Sequence, residues 1–354
     1  MGKVLRINLM KIYNALGVYA FPDGKPALDW GSTVINHLIN VNGVTGGLTF
    51  SDVEIDGTSE SSLPSQIADS KSLSLKLNLP SDMYVFDDGV TITMGGVNIT
   101  NETGVWDEST GEIYIDEVMG DVVIVANAIT YVQDHLVLHL DGKTANRGGI
   151  ANHWKSLVDY GNSKIDFTLT NCDETADDHV YFNGSDAKGI ADVSLLDLAA
   201  ADCSIEAAYT ANELNSQAFI IMHNGIGSGL RLCLSTGHST IYSDGENHVT
   251  MCNAANGLTI PGGVSFLMAQ TDFLATHYLS MVKSAFLVDG EAETSAGTGS
   301  QAANANSVLS LFYRVTSNEM FFKGSLYALR VYSDKLTPAE QLQNYKVDKK
   351  RFNL

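Results

Sequence analysis

Residues Ser72 to Leu79 constrain the chain most: Leu73, Leu75, Leu77 and Leu79 alternate strictly with Ser72, Ser74, Lys76 and Asn78. Successive side chains of extended backbone point to opposite sides, so period two predicts a strand buried on one face. A helix of the same composition would spread its leucines around the whole circumference. The alternation returns at Val90, Ile92 and Met94, at Ile113 and Ile115, and at Leu136, Leu138 and Leu140. Asp88-Gly89, Gly95-Gly96, Asp141-Gly142 and Asn183-Gly184 follow or separate these runs and suit tight turns. With 32 glycines against 6 prolines, the chain is expected to be all-β, its strands joined by turns rather than by Pro-rich linkers.

One helix is expected, near the end. Thr337 suits the N-cap, Pro338 the first helical position and Glu340 the third, a capping box, after which Leu342 and Tyr345 share a face. The basic tail, Lys346, Lys349, Lys350 and Arg351, reads as cations complementing the C-terminal end of the helix dipole.

The formal net charge is −20, with six bases against 17 acids up to residue 132 and 15 against 24 after it. A duplex-binding surface needs a basic stripe, so no nucleic-acid partner is expected. No apolar run approaches the ~18 residues of a membrane helix, which argues against membrane insertion. Lys3 and Arg6 precede an apolar stretch ending at Ala20, but Asn8, Lys11 and Asn14 interrupt it, so a cleaved signal peptide is not expected. Cys172, Cys203, Cys233 and Cys252 are spaced too widely for a C-x-x-C device and read as buried free thiols. A boundary is placed near Gln133, giving a leader at 1–33, a β-rich stalk or adaptor module at 34–132 and a larger domain at 133–354.

From Leu136 onward the chain resembles the laminin-G-like branch of the concanavalin-A-like lectin/glucanase superfamily. The residues that carry the likeness are Leu138-His139-Leu140-Asp141-Gly142, Trp154-Lys155-Ser156-Leu157-Val158-Asp159, Val180-Tyr181-Phe182-Asn183-Gly184-Ser185, and the run Phe322 to Tyr332 followed by Leu336-Thr337-Pro338-Ala339-Glu340. The resemblance implies a jelly-roll β-sandwich, preceded here by a smaller β-sandwich-like module. Trp154 is expected in its core, with the terminal helix covering a sheet edge. Residues 34–132 resemble β modules of phage and prophage structural proteins, through Val90 to Thr100, Gly111 to Ile115 and Val118 to Ala126.

Glucanases of this fold place alternating carboxylates on one strand, where two face the sugar. Asp52-Val53-Glu54-Ile55-Asp56 has that alternation, with Val53 and Ile55 expected behind three carboxylates on one strand face. It lies outside the lectin-like domain, so no catalytic residue is assigned and a solvated face is preferred. The loop acids Asp173, Glu174, Asp177 and Asp178 could hold calcium, as in some laminin-G-like domains. They match no EF-hand, so no metal site is assigned and calcium stands as the one conceivable cofactor. For glycan binding, the segment Ser235 to His248 offers His238, Tyr242, Asp244 and Asn247, a ring and hydrogen-bonding groups on a hairpin.

Together these readings predict a non-enzymatic bacteriophage virion protein, a head-fibre, decoration or tail-appendage protein, made in the host cytoplasm and carried on the virion surface. Its expected partners are other virion proteins, further copies of itself in a homo-oligomer, and host-surface glycans. A glycan-degrading enzyme on the same scaffold and a bacterial adhesin are the alternatives. The enzyme requires a carboxylate pair in the C-terminal domain; the adhesin requires export.

Overall fold

The computed structural model describes residues 34–191, 204–213, 218–224, 228–236, 247–255, 266–270, 276–282, 285–288, 291–293, 308–312, 321, 323–334 and 336–354, with the backbone alone at 211, 213 and 218–308. The candidate leader 1–33 lies outside them. Two compact units are present. One comprises the described part of Met1–Pro80 together with Asp88–Asn127, the other Ser81–Asp87 and the described part of Ala128–Leu354.

The first unit has two sheets. In one, Thr58–Ser59, Thr49–Ile55, Leu73–Asn78, Glu112–Ile115 and Trp106–Asp107 lie side by side, all antiparallel. In the other the order is Gln66–Ala68, Asn36–Thr45, Val122–Ile129, Thr91–Met94 and Val97–Asn98, with Asn36–Thr45 parallel to Val122–Ile129. The leucine alternation is realised: Leu73, Leu75 and Leu77 are at most 1% exposed, and Leu73 and Leu75 stand opposite Ile115 and Ile113. Each such burial contributes roughly 1.5–3 kcal/mol. Gly95 and Gly96, at φ 57° and 80°, close the hairpin between Thr91–Met94 and Val97–Asn98, the left-handed pair that a two-residue turn requires.

The acidic alternation at 52–56 keeps its expected exposure, with Asp52, Glu54 and Asp56 exposed and Ile55 half-buried, but on irregular backbone. Asp52 and Asp56 both take positive φ, and the register slips between Ser51 and Glu54. The bulge and the following turn interrupt the regular ladder around these carboxylates. Asp56 ion-pairs with Lys71, Asp52 accepts from the Ser51 hydroxyl, and Val53 is buried as expected.

The second unit is an antiparallel sandwich. Its seven-stranded sheet runs Leu136–Asp141, Lys323–Tyr332, Ser204–Glu213, Thr276–Val282, Ala285–Val288 and Glu291–Glu293, with Val180–Asn183 also paired to Lys323–Tyr332. The eight-stranded sheet runs His153–Tyr160, Ser163–Thr170, Lys188–Ala191, Val308–Leu311, Ala218–Asn224, Ser228–Thr236, Asn247–Ala255 and Phe266–Gln270. The core holds Leu138, Leu140, Trp154, Phe167, Phe182 and Leu329 among others. Trp154 is fully buried, and its indole N–H donates to the Asp141 carbonyl at 3.0 Å. Gly142 is no turn glycine: a Cβ there would meet the carbonyl oxygens of Asp178 at 2.3 Å and Tyr327 at 2.6 Å, so it marks a close backbone approach.

The helix, α1, spans Pro338–Phe352 with the expected capping box between Thr337 and Glu340. Its packing departs from expectation in two ways. The buried face is polar, Gln341, Asn344 and Asp348 with Val347 and Phe352, while Leu342 is 42% exposed. It also covers a sheet face rather than an edge, because Asn344, Asp348 and Phe352 meet Glu206, Arg330 and the Ala208–Ala328 pair of central strands. The basic tail does more than complement the dipole. Lys346 pairs with Asp87, Lys350 donates to the Phe86 carbonyl, and Arg351 pairs with Asp141.

Candidate functional site

Among the described residues of the second unit, Asp141, Glu206 and Asp348 are sealed beneath α1 with Arg330 and Arg351. His139, Arg330 and Glu206 are opposed across three neighbouring strands. Arg330 Nε lies 3.0 Å from Glu206 Oε2, its Nη atoms bond both oxygens of Asp348, and its guanidinium carbon sits 4.1 Å from the Tyr131 ring centroid. Tyr131 donates to Asp348 at 2.6 Å, and Asn344 Nδ2 donates to Glu206 at 2.8 Å. Asp141, Glu206, Arg330 and Asp348 are all 0% exposed. A sugar cannot reach carboxylates sealed in this way, and each is held by a guanidinium, so this cluster reads as an anchor for α1.

His139 belongs to the same layer, 2% exposed and edge-on to Tyr131 at 4.9 Å. Burial, reinforced by Arg330 and Arg351, holds its imidazole well below the ordinary 6.5, so it stays neutral in the fold. The unfolded chain binds that proton and the folded chain does not. Stability from this group is therefore full above about pH 6.5 and falls on acidification, by up to about 1.4 kcal/mol per pH unit until the folded value is reached. Thermal denaturation from pH 7.5 to 5 is expected to show a shallower decline for His139→Gln than for the parent. Equal slopes would remove His139 from the account.

Among the described side chains, one exposed polar group of residues lies on the eight-stranded sheet. In Ser163–Thr170, Ile165, Phe167 and Leu169 turn into the core at 5%, 0% and 4% exposure, which leaves Lys164, Asp166 and Thr168 on the solvent side. Cross-strand register sets Lys155 opposite Asp166, and Thr168 between His153 and Ile190. His153 Nδ1 lies 3.1 Å from one Asp166 oxygen and Lys155 Nζ 3.8 Å from the other. Between Lys155 and Asp159 the register slips by a bulge, and Gly161, at φ 65°, turns the chain back at the end of the hairpin. The result is a surface cleft of about 510 Å³ lined by Tyr160, Ser163, Lys164, Ile165, Asp166, Thr168 and Ile190. Tyr160 is half-buried and leans on the sandwich core. The cleft thus presents an aromatic ring, two hydroxyls, an ammonium group and one carboxylate. The sequence reading passed over Ser-Lys-Ile-Asp-Phe-Thr-Leu-Thr, whose alternation is the signal that could have marked a polar face; nothing local announced that a bulge and Tyr160 would make it concave.

Of the glycan-binding candidates, His238, Tyr242 and Asp244 lie outside the described residues. Asn247 opens a strand, its backbone opposite Thr236. The acidic loop is organised by a residue that sequence reasoning passed over. Arg147, 5% exposed, donates to the carbonyls of Gly142, Glu174, Ala176 and His179. Asp173 receives the backbone and hydroxyl of Thr175, which hold its carboxyl below the usual carboxylate range, Glu174 accepts from the Asn152 N–H, and Asp178 pairs with His179. Among the described residues no three His, Cys, Asp or Glu side chains converge to hold a metal ion, and no helix is long and apolar enough to cross a membrane. Cys172 is a free, half-buried thiol, which burial pushes up to about 12.

No protein-family model and no curated relative matches the chain. Among solved structures it is similar to the binding domain of botulinum neurotoxin DC, solved in complex with SialylT, at TM-score 0.40 and 10% identity over 60% of this chain and 51% of that one. It is also similar to Trypanosoma rangeli sialidase, at TM-score 0.42 and 12% identity over 62% of this chain and 34% of that one. A third is domain 4 of AbnA, an extracellular arabinanase from Geobacillus stearothermophilus, in complex with arabinotriose, at TM-score 0.41 and 12% identity over 60% of this chain and 100% of that one. The chain therefore spans about half of the toxin domain and a third of the sialidase.

Proposed function

We propose that this protein is a non-enzymatic structural protein of a bacteriophage virion, in a head fibre, decoration or tail appendage, whose concanavalin-A-like sandwich attaches to host-surface glycans. The observation that carries the glycan reading is the 510 Å³ cleft, where the Tyr160 ring stands beside the hydroxyls of Ser163 and Thr168 and the carboxylate of Asp166. A sugar needs a flat apolar surface for its C–H face and fixed polar groups for its hydroxyls, and this lining supplies both. Attachment fits it better than hydrolysis. Glycosidases use two carboxylates roughly 5–9.5 Å apart, and Asp166 is the one carboxylate lining the cleft among the described residues.

The virion setting is supported by the likeness of residues 34–132 to phage and prophage modules. Such a chain, made in the host cytoplasm, reaches the outside when lysis releases assembled particles. Repeated copies on one particle would turn weak single-site binding into avidity, which supports a homo-oligomer. The full chain is expected to bind glycans on an array, with Tyr160→Ala and Asp166→Ala each weakening binding about tenfold, the worth of roughly 1.4 kcal/mol. Mass spectrometry of purified particles tests the setting. Silence across the array would end the attachment reading, and absence from particles the virion reading.

A further inference from the structure

We propose that the cleft selects an acidic glycan, a sugar carrying a carboxylate or sulfate, with Lys164 as the group that meets its charge. This rests on the reading of the cleft as a glycan site and adds the class of sugar.

The charge arrangement carries it. The chain as a whole is at −20, so the average field repels anions. The cleft lining carries one cation, Lys164, and one anion, Asp166. Asp166 is already met by His153 at 3.1 Å and Lys155 at 3.8 Å, which leaves its charge largely answered within the protein. Lys164 is exposed, lines the cleft and makes no ion pair among the described residues. Asp159 stands opposite Lys164 in the register, yet the two form no ion pair. A lysine held unpaired next to an aromatic ring and two hydroxyls has the makings of a subsite for one anionic substituent on an otherwise neutral ring.

The surrounding acidity then acts as a filter. A sugar with a single acidic group finds Lys164 within a short screening distance, about 8 Å at physiological salt. A densely charged polyanion extends past it into the negative field and is repelled.

The test is an array of matched, singly charged oligosaccharides probed with the full chain: a neutral oligosaccharide ending in one uronate against its carboxyl-reduced form, a monosulfated galactobiose against its desulfated form, and sialyllactose against lactose. At least one acidic member is expected to bind about tenfold or more tighter than its neutral partner, with the gap narrowing as salt is raised. Lys164→Gln is expected to bring that ratio to within about twofold, and Lys164→Arg to keep most of it. Which pair responds distinguishes carboxylate from sulfate. Equal binding of acidic and neutral members, or a ratio untouched by Lys164→Gln, would overturn the acidic selection while leaving a glycan cleft in place. If no member binds, both readings fail together.

Discussion

Replacing Arg330 with methionine is expected to lower the stability of the second unit by about 3–5 kcal/mol, the usual consequence of stranding buried charges. For a domain of roughly 200 residues that is a fall in Tm on the order of 10 °C. Among the described residues Arg330 bonds both Glu206 and Asp348, and all three side chains are 0% exposed. Without the guanidinium both carboxylates lose the arginine that bonds them, while Asn344 still donates to Glu206 and the Tyr131 hydroxyl to Asp348. Neither neutral donor balances a full charge away from water. The effect should therefore track charge rather than volume. Asp348→Asn combined with Arg330→Met is expected to be less damaging than Arg330→Met alone, because one of the two stranded anions is gone. A double variant as unstable as the sum of its parts would show that the helix is held by packing instead.

Trp154→Ala is expected to cost a similar amount, about 3–5 kcal/mol, for a different reason. The ring is fully buried among the core side chains, so truncation leaves a cavity that the two sheets cannot close without moving. Trp154→Phe separates the two contributions. It keeps an aromatic ring but deletes the donor to the Asp141 carbonyl, an interaction worth about 1–3 kcal/mol when its buried acceptor is left unmatched. The phenylalanine variant should consequently fall between the parent and the alanine variant in urea denaturation. Parent-like stability for Trp154→Ala would remove Trp154 from the core.

Both residues show how far the sequence could be read. Trp154 as a core anchor was legible, because a large aromatic in an alternating strand has few other destinations. Arg330 stood within the run Phe322 to Tyr332, with nothing local to mark it as buried. Its partners are 124 and 18 residues away, and they reach it only when two strands and a helix meet. The same distance hid the role of the basic tail: Lys346, Lys350 and Arg351 reach back 259, 264 and 269 residues to Asp87, Phe86 and Asp82. The cleft was half legible. Lys164, Asp166 and Thr168 could be assigned to one strand face from their spacing, whereas the bulge after Lys155 and the placement of Tyr160 follow from pairing across the sheet.

Strand period, turn glycines at Gly95-Gly96 and the capping box at Thr337 depend on residues only a few positions apart, and for these the amino-acid order was sufficient. Which polar groups are sealed and which face water was another matter. The helix that presents Leu342 outward and buries Asp348 reverses the usual amphipathic rule, because an arginine and a glutamate from distant strands already occupy the surface beneath it. Burial of charge is decided by the partners present at the moment of packing, and those partners are brought together by topology rather than by neighbourhood in the chain.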